Sequence, residues 1–159
     1  MNRRIWLGTA ALVFALSPAA VLADDKPDFT GEWKLNVDKS DFGPTPMKPD
    51  KLILKVDHKD PNITINQTIA TPQGERSSDQ NFVIDGKEQT RSTPQGDVKF
   101  TPKWDGQTFV VEQTRTIQGN DIKVLEKWVL SKDKKVLNIS RDVTAPMGQF
   151  STKMVMEKQ

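Results

Sequence analysis

From Gly31 onward apolar side chains recur at every second position, and clusters of Gly, Pro, Asn and Asp interrupt them roughly every eight to twelve residues. Period two is the spacing of a strand with one buried face. The pattern predicts strands over 30–37, 51–58, 62–70, 78–84, 87–93, 97–104, 107–117, 121–131, 135–144 and 149–157. Alternation places Gly31, Trp33, Leu35 and Val37 on one face, then Leu52, Leu54 and Val56, then Ile63, Ile65 and Ile69, with Lys, Glu, Asn and Thr opposite. Phe82 and Ile84, Val98, Phe100 and Trp104, Phe109 and Val111, Ile122, Val124, Trp128 and Leu130, and Phe150, Met154 and Met156 continue the set.

One apolar face per strand implies one shared interior. The expected fold class is therefore all-β, an antiparallel up-and-down meander of about 8–10 strands closing into a barrel, because closure removes exposed edges. A two-sheet sandwich is the alternative. An outer-membrane barrel needs the reverse polarity, apolar outside and polar inside, and is excluded.

Turn chemistry refines the meander. Asp85-Gly86 and Asp105-Gly106 each separate strand-like runs and predict tight type I′ hairpins. Asp60-Pro61-Asn62, Gln118-Gly119-Asn120 and Lys132-Asp133-Lys134 read as further turns. A tetrapeptide echo, Thr71-Pro72-Gln73-Gly74 and Thr93-Pro94-Gln95-Gly96, is too short to make a repeat architecture. The long connection from Asp38 to Asp50 carries Pro44, Pro46 and Pro49, which exclude a regular helix. It is expected to cover one end of the fold, with room for a helical turn near Lys39 to Phe42. Pro102 inside a predicted strand implies a bulge or an opening.

Composition adds an address. Arg3 and Arg4, the apolar run Ile5 to Leu16, the helix-breaking Pro18, and Val21 and Ala23 at a small-residue cleavage site have the form of a signal peptide. The apolar run is shorter than the roughly 20 residues a membrane span requires. The reading is a signal over 1–23, cleaved after Ala23, a single domain over 24–159, and a periplasmic or secreted product with no stable membrane insertion after cleavage. Without Arg3 and Arg4 the remaining 21 Lys and Arg equal the 21 Asp and Glu. The apparent basicity thus belongs to the signal, and charge gives no case for nucleic acid. Cysteine is absent, so the domain holds together without disulfides.

The first strand carries Phe29-Thr30-Gly31-Glu32-Trp33, a Gly-x-Trp motif at the head of a β-meander. With Lys103 to Glu112, and Trp128 to Ser131 followed by Val136 to Ile139, it resembles the lipocalins and the wider calycin superfamily, in particular secreted bacterial lipocalin-like proteins. The resemblance spans most of residues 29–157. It implies a barrel whose base is closed by Gly31 and Trp33, with Arg141 from a late strand packed beside the tryptophan. It departs from the usual pattern in its strand number and in lacking a clear C-terminal helix.

Chemistry is sparse. Alternation turns three charged residues inward: Arg115, Glu126 and Arg141. Charges seldom sit in a core unpaired. Two readings follow. An arginine holds the carboxylate of an amphipathic ligand whose tail lies against Phe100, Trp104, Phe109, Trp128 and Met154. Alternatively, Glu126 and an arginine form a structural pair and Arg141 stacks on Trp33. His58, the sole histidine, reads as a solvated turn residue, with neither metal nor cofactor implied. No nucleophile and base pairing is evident, so an enzyme is not expected, a carboxylate-based hydrolase being the alternative. The expected function is carriage of a small hydrophobic or amphipathic molecule; the other option is an envelope interaction module using the 38–50 loop or the barrel rim.

Overall fold

The computed structural model describes residues 26–44, 48–117 and 119–159. The expected signal peptide lies outside them, as do Pro46 and Gln118. Ten antiparallel strands form one sheet: β1 (Gly31–Asp41), β2 (Lys51–Lys59), β3 (Asn62–Thr71), β4 (Gly74–Val83), β5 (Gln89–Thr93), β6 (Gly96–Asp105), β7 (Thr108–Ile117), β8 (Asn120–Leu130), β9 (Val136–Ala145) and β10 (Gly148–Lys158). The spatial order is β4-β3-β2-β1-β10-β9-β8-β7-β6-β5. Each strand pairs with its sequence neighbour, except that β1 also pairs with β10 and no ladder joins β4 to β5. The meander is a nearly closed barrel with one seam.

Side chains span that seam. The Gln89 amide donates to the Val83 carbonyl (2.6 Å) and accepts from the Val83 N–H (3.2 Å), imitating a backbone pair. Arg91 donates to the Asn81 carbonyl, and its guanidinium lies 5.1 Å and 5.6 Å from the rings of Phe100 and Phe82. Two exposed edges are thereby kept together without a ladder.

The base is packed. Phe29, Trp33, Phe109, Leu137, Ile139 and Met156 are essentially inaccessible to solvent. Each such side chain contributes about 1.5–3 kcal/mol by leaving water. Phe29, just ahead of β1, plugs this end: its ring centroid lies 5.6–6.2 Å from those of His58, Trp104, Phe109 and Trp128. Its carbonyl accepts the Trp33 indole N–H at 2.8 Å. Gly31 has φ 142°, and a Cβ there would lie 2.9 Å from Cε of Lys158, whose ammonium sits 5.3 Å from the Trp33 ring. Glycine thus serves both the backbone conformation and the cation above the tryptophan.

Several local expectations are corrected. Asp85-Gly86 makes no hairpin, because it links the two seam strands; Ile84 and Gly86 donate instead to the carbonyls of Pro61 and Pro102. At Asp105-Gly106 a tight hairpin does form, but only Gly106 has positive φ (57°) where a I′ turn needs two such residues. Pro102 causes no bulge, since β6 and β7 keep register through Pro102↔Val111. Its carbonyl faces Gly86, away from β7, so its missing N–H is lost from the side where β5 has already ended.

No helical turn forms over 39–42. Strand β1 instead shifts register between Asn36 and Asp41, where the Ser40 hydroxyl donates to the Asn36 carbonyl and accepts from the Val155 N–H. Val37, in that irregularity, is exposed rather than inward. The tetrapeptide echo is one turn used twice, on hairpins β3–β4 and β5–β6. In each, the Thr hydroxyl donates to the Gly carbonyl and accepts from the Gln N–H.

Candidate functional site

Above the packed base the barrel is hollow. Register stacks the inward residues of β7 to β10 in rows. Nearest the base runs Phe109, Trp128, Ile139 and Met154; then Val111, Glu126, Arg141 and Thr152; then Gln113, Val124, Val143 and Phe150. Arg115 stands one row higher, at the mouth, opposite Val98 and Ile122. Two lobes walled by described residues lie in this space.

The upper lobe, about 310 Å³, is walled by Phe82, Phe100, Val111, Val124 and Phe150 and also by Gln113 and Arg115. The lower lobe, about 190 Å³, is walled by Leu52, Leu54, Ile65, Trp128, Ile139 and Met154. Phe42 and Pro49 from the Pro-rich loop turn inward over the lower lobe, so this connection caps an end of the fold with its apolar residues.

Four polar residues line both lobes: Gln80, Glu126, Arg141 and Thr152. Glu126 and Arg141 are cross-strand partners, and Arg141 Nε and Nη2 both donate to Glu126 Oε2, the former at 2.8 Å. Glu126 Oε1 accepts the Trp128 indole N–H at 2.7 Å. The charge of Glu126 raises Arg141 above the ordinary guanidinium range, opposed by desolvation and aided by the hydrogen bond, so Arg141 stays ionised. The pair is internally neutral. Arg115 differs, because its guanidinium lines the upper lobe without a hydrogen bond or ion pair to any described residue.

The sequence-predicted site residues therefore separate into three groups. Phe100, Arg115, Glu126, Trp128, Arg141 and Met154 line the lobes. Trp104 and Phe109 do not; in the base Trp104 stacks on Phe29 and Phe109 packs against it at a tilt, and Trp104 donates its indole N–H to Asp60 Oδ1 at 2.8 Å. Gly31 and Trp33 lie at the base, but Arg141 does not join them. It sits beside Glu126 and Thr152 part-way up the wall, and the cation over Trp33 is Lys158.

His58 is also corrected. It is buried, stacked on Phe29, and its Nδ1 accepts the Phe29 N–H at 3.3 Å. That assigns its proton to Nε2, which lies 3.9 Å from Asp60 Oδ1 without a hydrogen bond among the described residues. No group of three or more potential metal ligands occurs among the described residues. Among the described residues there is no helix long and apolar enough to cross a membrane.

No family model and no curated protein sequence matches this chain. Solved structures do. The zebrafish ileal bile acid-binding protein complexed with cholic acid superposes with a TM-score of 0.58 at 17% identity, covering 82% of this chain and 98% of the other. A point mutant of the REP1-NXSQ fatty acid transporter gives 0.58 at 14% identity, covering 82% and 98%. Secretory abundant heat soluble protein 4 from Ramazzottius varieornatus gives 0.54 at 15% identity, covering 82% and 94%. At these identities the likeness is one of fold: this chain shares with them an antiparallel, nearly closed β-barrel, here of ten strands.

Proposed function

We propose that this chain is an exported, non-enzymatic binding protein that holds a small amphipathic molecule. The apolar tail lies in the lower lobe against Leu52, Leu54, Ile65, Trp128 and Met154, and an anionic head group meets Arg115 at the mouth. The observation that carries this reading is the contrast between the two arginines. Arg141 is neutralised by Glu126 and would present an incoming anion with a carboxylate as well as a guanidinium. Arg115 has no such partner among the described residues, and a guanidinium donates two parallel hydrogen bonds to a carboxylate.

Fold relatives that include a bile acid-binding protein and a fatty acid transporter support a lipid-like ligand. Export rests on the form of residues 1–23, and a mature N-terminus at Asp24 is its direct test. For ligand polarity the test is titration with octadecanoate and octadecanol. Wild type is expected to favour the acid, and Arg115→Ala to bind the acid about tenfold more weakly with the alcohol little changed. Equal loss of both ligands would remove Arg115 from the head-group role.

A further inference from the structure

We infer that the row shared by the two lobes selects a ligand carrying a hydrogen-bonding group, a hydroxyl or carbonyl, part-way along its apolar body. This rests on the amphipath-binding reading above and specifies the ligand class. Glu126, Arg141 and Thr152 are consecutive cross-strand neighbours, and Gln80 faces the same two lobes from β4. Together they form a polar belt between a lower lobe whose remaining wall is apolar except for Gln67 and a mixed upper one.

The belt is only partly satisfied from within. Of the five guanidinium N–H groups of Arg141, two are directed at Glu126 and three remain. Its side chain is 42% exposed, against 19% for Glu126. The Gln80 amide and the Thr152 hydroxyl have no hydrogen bond to any described residue. Polar groups of this kind are bonded by water until a ligand displaces it. A plain methylene chain laid across the belt strips that water and returns nothing, and buried polar groups left unpaired are costly. A hydroxyl or carbonyl at the same level replaces the lost bonds.

Register sets the position of that group. Arg115 and Val111, which faces Glu126, are four residues apart on β7, about 13 Å at strand rise. With the head group at Arg115, the internal oxygen belongs on the order of ten carbon–carbon bonds from the carboxylate. The ligand class is thus a mid-chain oxygenated fatty acid or a rigid amphipath of equivalent spacing.

Titration of the chain with octadecanoate, 2-hydroxyoctadecanoate and 10-hydroxyoctadecanoate tests this. The 10-hydroxy acid is expected to bind about tenfold more tightly than either of the others. In Gln80→Leu with Thr152→Val that preference should shrink to about twofold or less, with octadecanoate bound as well or better. Equal binding of all three by wild type overturns the belt's role and leaves the amphipath reading standing. Failure of all three to bind overturns both. The wild-type comparison is decisive even where the double variant does not fold.

Discussion

The contrast between a packed base and a hollow upper barrel is open to a paired truncation. Phe29 is fully buried, and its ring lies within 6.2 Å, centroid to centroid, of His58, Trp104, Phe109 and Trp128. Phe29→Ala keeps the two main-chain bonds, the N–H to His58 and the carbonyl to Trp33, because neither uses the side chain. The loss is therefore one of packing. Truncating a buried phenylalanine costs about 3–5 kcal/mol, and the four ring contacts put this site toward the upper end. For a domain of this size that lowers Tm by about 10–15 °C. Phe150 is half-buried and borders the upper lobe, where part of its surface already faces open space. Phe150→Ala should cost about 1 kcal/mol, since fewer contacts are lost and the new void joins an existing one. Urea unfolding of both variants, with unchanged m values, gives the comparison. Similar losses would mean that the upper barrel is packed as tightly as the base, and the reasoning from a cavity would fail.

Other perturbations probe the base, the seam and the pH response. Gly31→Ala, which places a side chain at φ 142° and against Lys158, should cost about 1–3 kcal/mol by the same unfolding assay. Gln89→Ala should speed hydrogen exchange at the Val83 amide while changing global stability by no more than about 1.5 kcal/mol, because the clasp closes the seam locally. The carboxyls of Asp28, held by its hydrogen bonds from Thr30, of Asp133, held by Ser131 and the Lys135 N–H, and of Glu157, held by Lys39 and Asn36, all lie below the ordinary carboxylate range. Folded-state values below unfolded ones give stability that is present above the ordinary range of about 4 and is lost as pH falls through the depressed folded values. Chemical denaturation should therefore show a plateau near neutrality and a decline below about pH 4, shallower in Asp28→Asn; identical curves would contradict the role of Asp28.

The strands were legible because alternation is a local signal that a shared interior enforces along every segment. It failed where local signals were weak or ambiguous. Glu75 to Asp79 of β4 show no apolar alternation, being exposed on both faces, so the strand starts before its hydrophobic part. Asp85-Gly86 is locally indistinguishable from a hairpin turn; whether β4 meets β5 depends on closure around the whole barrel.

The site was legible in part for the same reason. Period two aimed Arg115, Glu126 and Arg141 inward, but only register could show that Glu126 faces Arg141 and that Arg115 stands apart from both. Some signals lay in the pattern unused. His58 continues the face of Leu52, Leu54 and Val56, and Lys158 that of Met154 and Met156, which is how each reaches the base. Phe29 stands just ahead of β1 in period with Gly31 and Trp33, so alternation turns it inward, but its place among the rings of the base depends on contacts that no local pattern contains. The height at which Trp104 and Phe109 meet Phe29, below the lobes, likewise depends on a contact that no local pattern contains.

Whether the barrel carries an amphipath is read most directly by native mass spectrometry of the purified chain, with solvent extraction of what it holds. One amphipathic molecule per chain is expected, or saturable uptake of one 10-hydroxyoctadecanoate, weakened by Arg115→Ala. A chain that carries nothing and takes up neither fatty acid nor hydroxy acid would contradict the assignment of the barrel as a binding site.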